Sequence, residues 1–349
     1  MYVKKSFSLR NLLRFSGFHI FWLTIWGTAV TIFYEAFHFE WLEIPWLPLS
    51  VIGTAVAFYL GFKNNSAYDR LWEARKIWGA IVNSSRMWGT TVKGFVSNQF
   101  RTDGLSKEEL HDIHQRLLYR HVAWLYTLRN QLLIPTSWEH GQQGRLAKQY
   151  SNKRKETYGV GLFQDEITKI ELEKFLEKEE HDKVINFQNT ATQLIDNQSQ
   201  DLKHLREADL IDDFRHMELQ KILNDFYTHQ GKAERIKKFP LPRQYSFSSS
   251  IFVGIFIFLL PFGLAPALHD VGMGEGGAGI WLTIPFTVLI GWVYVMMELI
   301  GDYSENPFEG YGNDIPMLSL CRVIEIDLLE MLGETDLPPK VQAVDGVLM

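Results

Sequence analysis

The sequence predicts an all-α integral membrane protein with four transmembrane helices and a helical water-soluble domain. Three observations carry this. Apolar residues gather towards both ends of the 349-residue chain, and charged residues gather in its middle. Four stretches near those ends run for about 20 residues with almost no charge, the length a helix needs to cross a bilayer. The polar middle carries helix start and stop signals but no strand alternation. Averages conceal the pattern: a net charge of -6, a pI near 6.0 and a mean hydropathy of -0.10 would equally suit a soluble two-domain protein.

The first apolar stretch is Phe15 to Phe37, uncharged until Glu35, and the second is Ile44 to Phe62, uncharged throughout. The third is Phe247 to Leu268, and the fourth is Ile280 to Ile300, with Glu298 near its end. In hydrocarbon the backbone must satisfy its own hydrogen bonds, so each reads as a helix. A buried soluble hairpin for the second and third is disfavoured by their uncharged length. No A-x-A-like site follows the first run, so a cleaved signal peptide is not expected. Lys4, Lys5, Arg10 and Arg14 place the N-terminus in the cytoplasm by the positive-inside rule. The loops holding Glu40 and Glu43, and Asp270 and Glu275, have no Lys or Arg and face out. Both termini are then cytoplasmic. The layout is residues 1–62 with two spans, 63–246 cytosolic, 247–301 with two more spans, and 302–349 as a cytosolic tail.

Past Phe62 the second helix is expected to continue to about Trp88, leaving the bilayer at Asn64, Asn65 and Ser66. Asp103-Gly104 marks a turn, and Ser106 is the N-cap of a helix that Pro135 stops after about Leu133. Residues 140–158 read as a solvated loop. Helices follow over 164–175 and 183–230, the second broken near Glu207 and closed by Gly231 as C-cap. Pro240 and Pro242 separate this region from the third span. The run Gly272-Met273-Gly274-Glu275-Gly276-Gly277 follows an apolar helix and precedes no Lys-Ser/Thr, so it reads as an external loop rather than a phosphate cradle.

Catalytic chemistry finds little footing. The single cysteine, Cys321, allows no intrachain disulfide and reads as a small packed hydrophobe. Within the polar middle Glu108, His111 and His114 give one E-x-x-H where a di-iron bundle needs two, and Lys178 stands where a partner for His181 would be. Walker A, G-x-S-x-G, H-E-x-x-H and C-x-x-C patterns are absent from the sequence. No enzyme, metal or cofactor is expected, and the modest acidity argues against nucleic acid as a partner.

The second span holds the most suggestive constellation. Thr54, Phe58 and Phe62 lie at i, i+4 and i+8 on one helical face, beside small Gly53, Ala55, Ala57 and Gly61 that allow close helix approach. The plain reading is phenylalanine in lipid or core. Alternatively, the same face from several symmetry-related copies closes a ring, and stacked apolar rings gate by wetting and dewetting. Downstream, Arg70, Trp72, Glu73 and Trp78 read first as packing residues.

Two motifs identify a resemblance. Leu60-Gly61-Phe62 followed by Ala67-Tyr68-Asp69-Arg70-Leu71-Trp72-Glu73-Ala74-Arg75 resembles the bacterial bestrophin homologues. So does Asn306-Pro307-Phe308 followed by Asn313-Asp314-Ile315-Pro316 and Cys321-Arg322-Val323-Ile324-Glu325-Ile326-Asp327-Leu328. The resemblance covers both ends and the order of the spans; the middle matches loosely. It implies a homopentamer around one axial pore, in a bacterial inner membrane, passing small monovalent ions. Its partners would be itself, membrane lipid and those ions. It puts the pore neck at Thr54, Phe58 and Phe62, with Thr54 a departure from the bulky apolar residue of animal members. It puts a cytosolic aperture near Phe214, with Asp212 and Asp213 as possible selectivity charges. Animal members also hold a calcium clasp after the Asn-Pro-Phe motif. Here Glu309-Gly310-Tyr311-Gly312-Asn313-Asp314 lacks most of its carboxylates, and Ca²⁺ takes six to eight oxygen ligands, so calcium gating is not expected. Animal members pass anions, while a bacterial relative is described as cation-selective. Here Asp212, Asp213, Glu40 and Glu43 lean slightly towards cations, a lean that screening weakens. A secondary transporter, or a membrane-anchored scaffold or sensor, are the alternatives. The first lacks internal repeats and mid-span charge, and the second is permitted by the long polar helices.

Overall fold

The computed structural model describes residues 1–4, 9–37, 43–139, 172–269, 278–344 and 346–349, with 142, 148, 149 and 152 as isolated positions between. Its helices are α1 (Leu9–Phe37), α2 (Trp46–Phe95), α3 (Lys107–Leu133), α4 (Lys178–Val184), α5 (Thr190–Glu207), α6 (Asp213–Lys238), α7 (Arg243–His269), α8 (Thr283–Asp302) and α9 (Met317–Leu332). Short 3₁₀ turns lie at Asn98–Phe100 and Ala278–Leu282. Among the described residues four helices are long and apolar enough to cross a membrane. The fold is all-α, and the chain is a multi-pass membrane protein. At 50 residues α2 is about 75 Å long, far more than the roughly 30 Å of a bilayer core, so it continues well past Phe62 as its composition suggests.

The chain forms two compact units. The membrane unit comprises Lys4–Arg70 and Pro240–Asn306. Within it α8 packs against both α1 and α7. Leu23, Leu49, Val56, Leu60, Phe256, Leu260 and Val295 form its core. Lipid offers no hydrophobic drive between helices, so close van der Waals fit must supply it. Gly291 shows how: a Cβ there would sit 2.7 Å from Leu23 Cδ2, so only glycine lets α8 approach α1 this closely. Pro261 and Pro266 lie inside α7, where neighbouring helices make such interruptions tolerable.

The extramembrane unit comprises Met1–Val3, Leu71–Phe239 and Pro307–Met349. Its core centres on Trp78, Trp88, Trp124, Tyr126 and Phe226, all fully buried. Each such side chain contributes on the order of 2–3 kcal/mol by leaving water. His121 sits among them, with ring centroids 5.2 Å from Trp124 and 4.3 Å from Phe226. α3 begins with the expected cap: Ser106 Oγ accepts the Glu109 N–H at 3.1 Å, and the Glu109 carboxylate accepts the Ser106 N–H at 2.8 Å. α3 is tied to α4 and α5 by buried Arg120, whose guanidinium holds both Glu180 oxygens at 2.7 and 2.9 Å and also pairs with Asp201. The first residues pair with the last, through an antiparallel bridge between Tyr2 and Val347.

Two local expectations need correction. The helix expected over 183–230 does break at Glu207, but it is also interrupted at residues 185–189. There Ile185 closes α4, and Asn189 caps α5 by accepting the Thr192 N–H at 3.1 Å. Gly231 is not a C-cap: it lies within α6, which runs on to Lys238. Ala233 and Ile236 beyond it are buried, and their packing outweighs the roughly 1 kcal/mol that glycine costs inside a helix. Pro240 supplies the stop by forcing Phe239 into an extended conformation (φ -113°, ψ 104°). Most of the loop expected at 140–158, residues 164–171 of the helix expected at 164–175, and the glycine-rich run 272–277 lie outside the described residues. Residues 172–175 are helical.

Candidate functional site

The part of α2 in the membrane unit has two distinct faces. Gly53, Val56, Leu60, Lys63 and Ala67 are buried, at spacings of three and four residues. That seam packs into the unit: a Cβ on Gly53 would lie 2.7 Å from the Phe256 ring, and Tyr294 Oη donates to Gly53 O at 2.9 Å. Thr54, Phe58 and Phe62 stand on another face and are exposed in the single chain, both phenylalanines at 68 %. Thr54 Oγ1 donates to Ser50 O at 2.9 Å, so its proton is committed to the backbone and only lone pairs face outward. The sequence-level grouping of these three residues is therefore one continuous surface of a helix anchored on its other side.

A second constellation lies at the start of α6. Asp212 is the N-cap, accepting the Arg215 N–H at 2.8 Å. Asp213 pairs with Arg206 Nε at 2.5 Å, and Arg206 also reaches Asp209 at 3.4 Å. Phe214, next to Asp213 in the chain, is 81 % exposed. Arg215 is tied to the end of α2 and the turn after it. It donates to Phe95 O at 3.0 Å, to Ser97 Oγ at 3.2 Å and to Gln99, and its guanidinium lies 5.5 and 4.8 Å from the Phe95 and Phe100 rings. Both acidic side chains thus have local work: one caps a helix, and the other is neutralised by a neighbour. Spacing alone gave no signal for Arg206 or Arg215, because their contacts depend on the turn at 208–212 and on the end of α2.

The Asn306-Pro307-Phe308 motif opens a buried loop. Phe308 is fully buried with φ 74°, in the left-handed region that a side chain rarely adopts. Asp314 holds that conformation, accepting N–H groups from Phe308, Gly310 and Ile315 at 3.0, 2.8 and 2.7 Å. Burial nonetheless pushes the Asp314 carboxyl above its usual range. Lys237 donates to Phe308 O at 3.4 Å and forms a buried ion pair with Glu139. Asn306 lies beside Glu305, whose carboxyl burial also raises. Among the described residues no group of three or more His, Cys, Asp or Glu could hold a metal ion. Asp314, the carboxylate best placed for a calcium clasp, has its oxygens directed at backbone donors, so the donor set does not fit Ca²⁺.

An all-α fold with four helices, among the described residues, long and apolar enough to cross a membrane defines the class: a multi-pass membrane protein. The sequence pattern of the bacterial/fungal bestrophin proteins matches residues 18–330, and the chain belongs to that family. It is 27 % identical over 294 residues to the voltage-dependent anion channel-forming protein YneE of Escherichia coli K12, covering 84 % of this chain and 79 % of that protein. It is 23 % identical to the voltage-dependent anion channel-forming protein alr2987 of Nostoc, covering 92 % of this chain and 87 % of the relative. The crystal structure of a bacterial bestrophin homologue from Klebsiella pneumoniae superimposes with a TM-score of 0.72 at 22 % identity, over 91 % of this chain and 98 % of that one.

Proposed function

We propose that the chain is one subunit of a homopentameric channel in the bacterial inner membrane, with both termini cytoplasmic. Small monovalent ions would pass through it passively. The neck is the Thr54, Phe58 and Phe62 face, brought by symmetry into stacked rings, and Phe214 forms a cytosolic aperture. The observation that carries this is the two-faced α2. Its buried seam leaves two bulky aromatic rings 68 % exposed and directed away from their own subunit. Neighbouring copies give those rings a place in which they constrict a water column.

The relatives' names speak of anion channels, which supports conduction of anions. The neck carries no charge. At the aperture Asp213 is paired with Arg206 and Asp212 is used as a cap, so weak discrimination between anions and cations follows, in place of a cation lean. The test is conductance of the purified protein in planar bilayers. Phe58→Ala with Phe62→Ala should raise or deregulate the current. An unchanged current would remove the neck assignment, and a monomer by solution mass would remove the channel.

A further inference from the structure

One residue beyond Phe62, the buried seam of α2 contains a charge. Lys63 is fully buried, and its Nζ lies 2.7 Å from Glu298 Oε1 on α8, whose side chain is 12 % exposed. Ser250 of α7 donates to the same oxygen at 2.6 Å, and Ser249 Oγ lies 2.9 Å from it and 2.9 Å from Ser246 O, so its one proton is shared between the two acceptors. Three side chains from two helices therefore converge on one oxygen of a third. Beside them Asn64 Nδ2 donates to Met297 O at 3.0 Å, and a Cβ on Gly301 would collide with the Asn64 amide. Glu298 Oε2 and Asn64 Oδ1 are buried and, among the described residues, without partners. Glu298 is also the sole acidic or basic residue in the apolar run from Ile280 to Ile300.

Charges inside a spanning bundle are costly and are retained where they do something. A buried ion pair is weak evidence for stability, since an apolar replacement of similar volume often serves as well; its best-attested use is to fix register. Register is what a hydrophobic constriction needs here. Successive residues of a helix are about 100° apart, so holding Lys63 against α7 and α8 fixes the direction in which Phe62 points. The Gly53 contacts with Phe256 and Tyr294 fix the same helix about two and a half turns earlier. Apolar packing along Val56 and Leu60 would tolerate a small rotation or slide, whereas a 2.7 Å ion pair with two further hydroxyls on the same oxygen would not.

We infer that Lys63 and Glu298, with Ser249 and Ser250, form a polar latch that positions the neck face of α2. They are positioning residues for ion flow that do not themselves meet the ion. This rests on the neck reading above.

The experiment compares single-channel behaviour of purified protein in planar bilayers. The variants are Lys63→Met, Glu298→Gln, the charge-free pair Lys63→Met/Glu298→Met, and the swapped pair Lys63→Glu/Glu298→Lys. Oligomer mass and melting temperature are measured on the same samples. The latch predicts that the charge-free pair assembles and melts near the parent, yet its unitary current or open probability changes severalfold. It also predicts that the swapped pair moves back towards the parent. If the singles fail to assemble, the charge-free pair alone decides. Parental conduction in the charge-free pair, or conduction lost only in proportion to folded oligomer with no recovery in the swap, overturns the inference. The Phe58/Phe62 double alanine separates the two readings. If that variant changes the current and the latch variants do not, the latch fails and the neck stands. If the double alanine leaves the current unchanged, it is the neck reading that fails.

Discussion

Acid should destabilise the extramembrane unit through His121, by an amount the structure sets. The ring is fully enclosed between Trp124 and Phe226, and its Nε2 lies 2.8 Å from Ser85 Oγ. The Ser85 hydroxyl already donates to Ile81 O at 2.7 Å, so Nε2 is the donor and an added proton would go to Nδ1. Burial lowers its pKa from 6.5 to about 3. The folded state thus resists a proton that the unfolded chain accepts. Above pH 6.5 the group is neutral in both states and costs nothing. Below that, stability falls by about 1.4 kcal/mol per pH unit until the folded pKa is reached. By pH 4 the loss is about 3 kcal/mol, a large part of a typical folding free energy. The assay is urea or thermal unfolding of the detergent-solubilised protein between pH 7.5 and 4, followed by the fluorescence of Trp124 and its neighbours. His121→Gln keeps a donor for Ser85 and cannot titrate. Many carboxylates also titrate over this range, so the informative quantity is the difference between parent and variant. That difference should widen steadily below pH 6.5 to about 3 kcal/mol at pH 4. Parallel pH profiles would refute the reasoning, because they would mean that the ring accepts its proton without unfolding.

Three further outcomes follow from single contacts. Arg206→Gln should release the Asp213 charge beside Phe214 and shift the reversal potential in a salt gradient towards cations, more at low ionic strength; an unmoved potential would separate these charges from the ion path. Gly53→Leu should drive a side chain into the Phe256 ring and lower stability by about 1–3 kcal/mol, read as a fall in the detergent melting temperature. Ser106→Ala should remove one half of the α3 capping box at a cost of about 1 kcal/mol, read by chemical denaturation, with conduction unaffected.

Much of this molecule was legible in one dimension because the relevant physics is local. The four spans follow from uncharged length, since hydrocarbon admits only helices whose backbone bonds are internal. The start of α3 follows from Ser106 and Glu109, and the helical face of Thr54, Phe58 and Phe62 from a fixed period. Where local signals misled, burial of a few residues decided: α6 runs through Gly231 because Ala233 and Ile236 have a core to enter. Lys63 could have been noticed as a charge at a seam position, three residues after Leu60 and four before Ala67, but its partner lies 235 residues away. Asp212 and Asp213 read as free charges in the sequence, and only the fold shows one serving as a cap and the other matched by Arg206. Composition and period determine which segments are helices and which faces are apolar. Which face turns inward, and which charges remain unneutralised, depends on contacts between residues distant along the chain, and those exist only once the helices have packed.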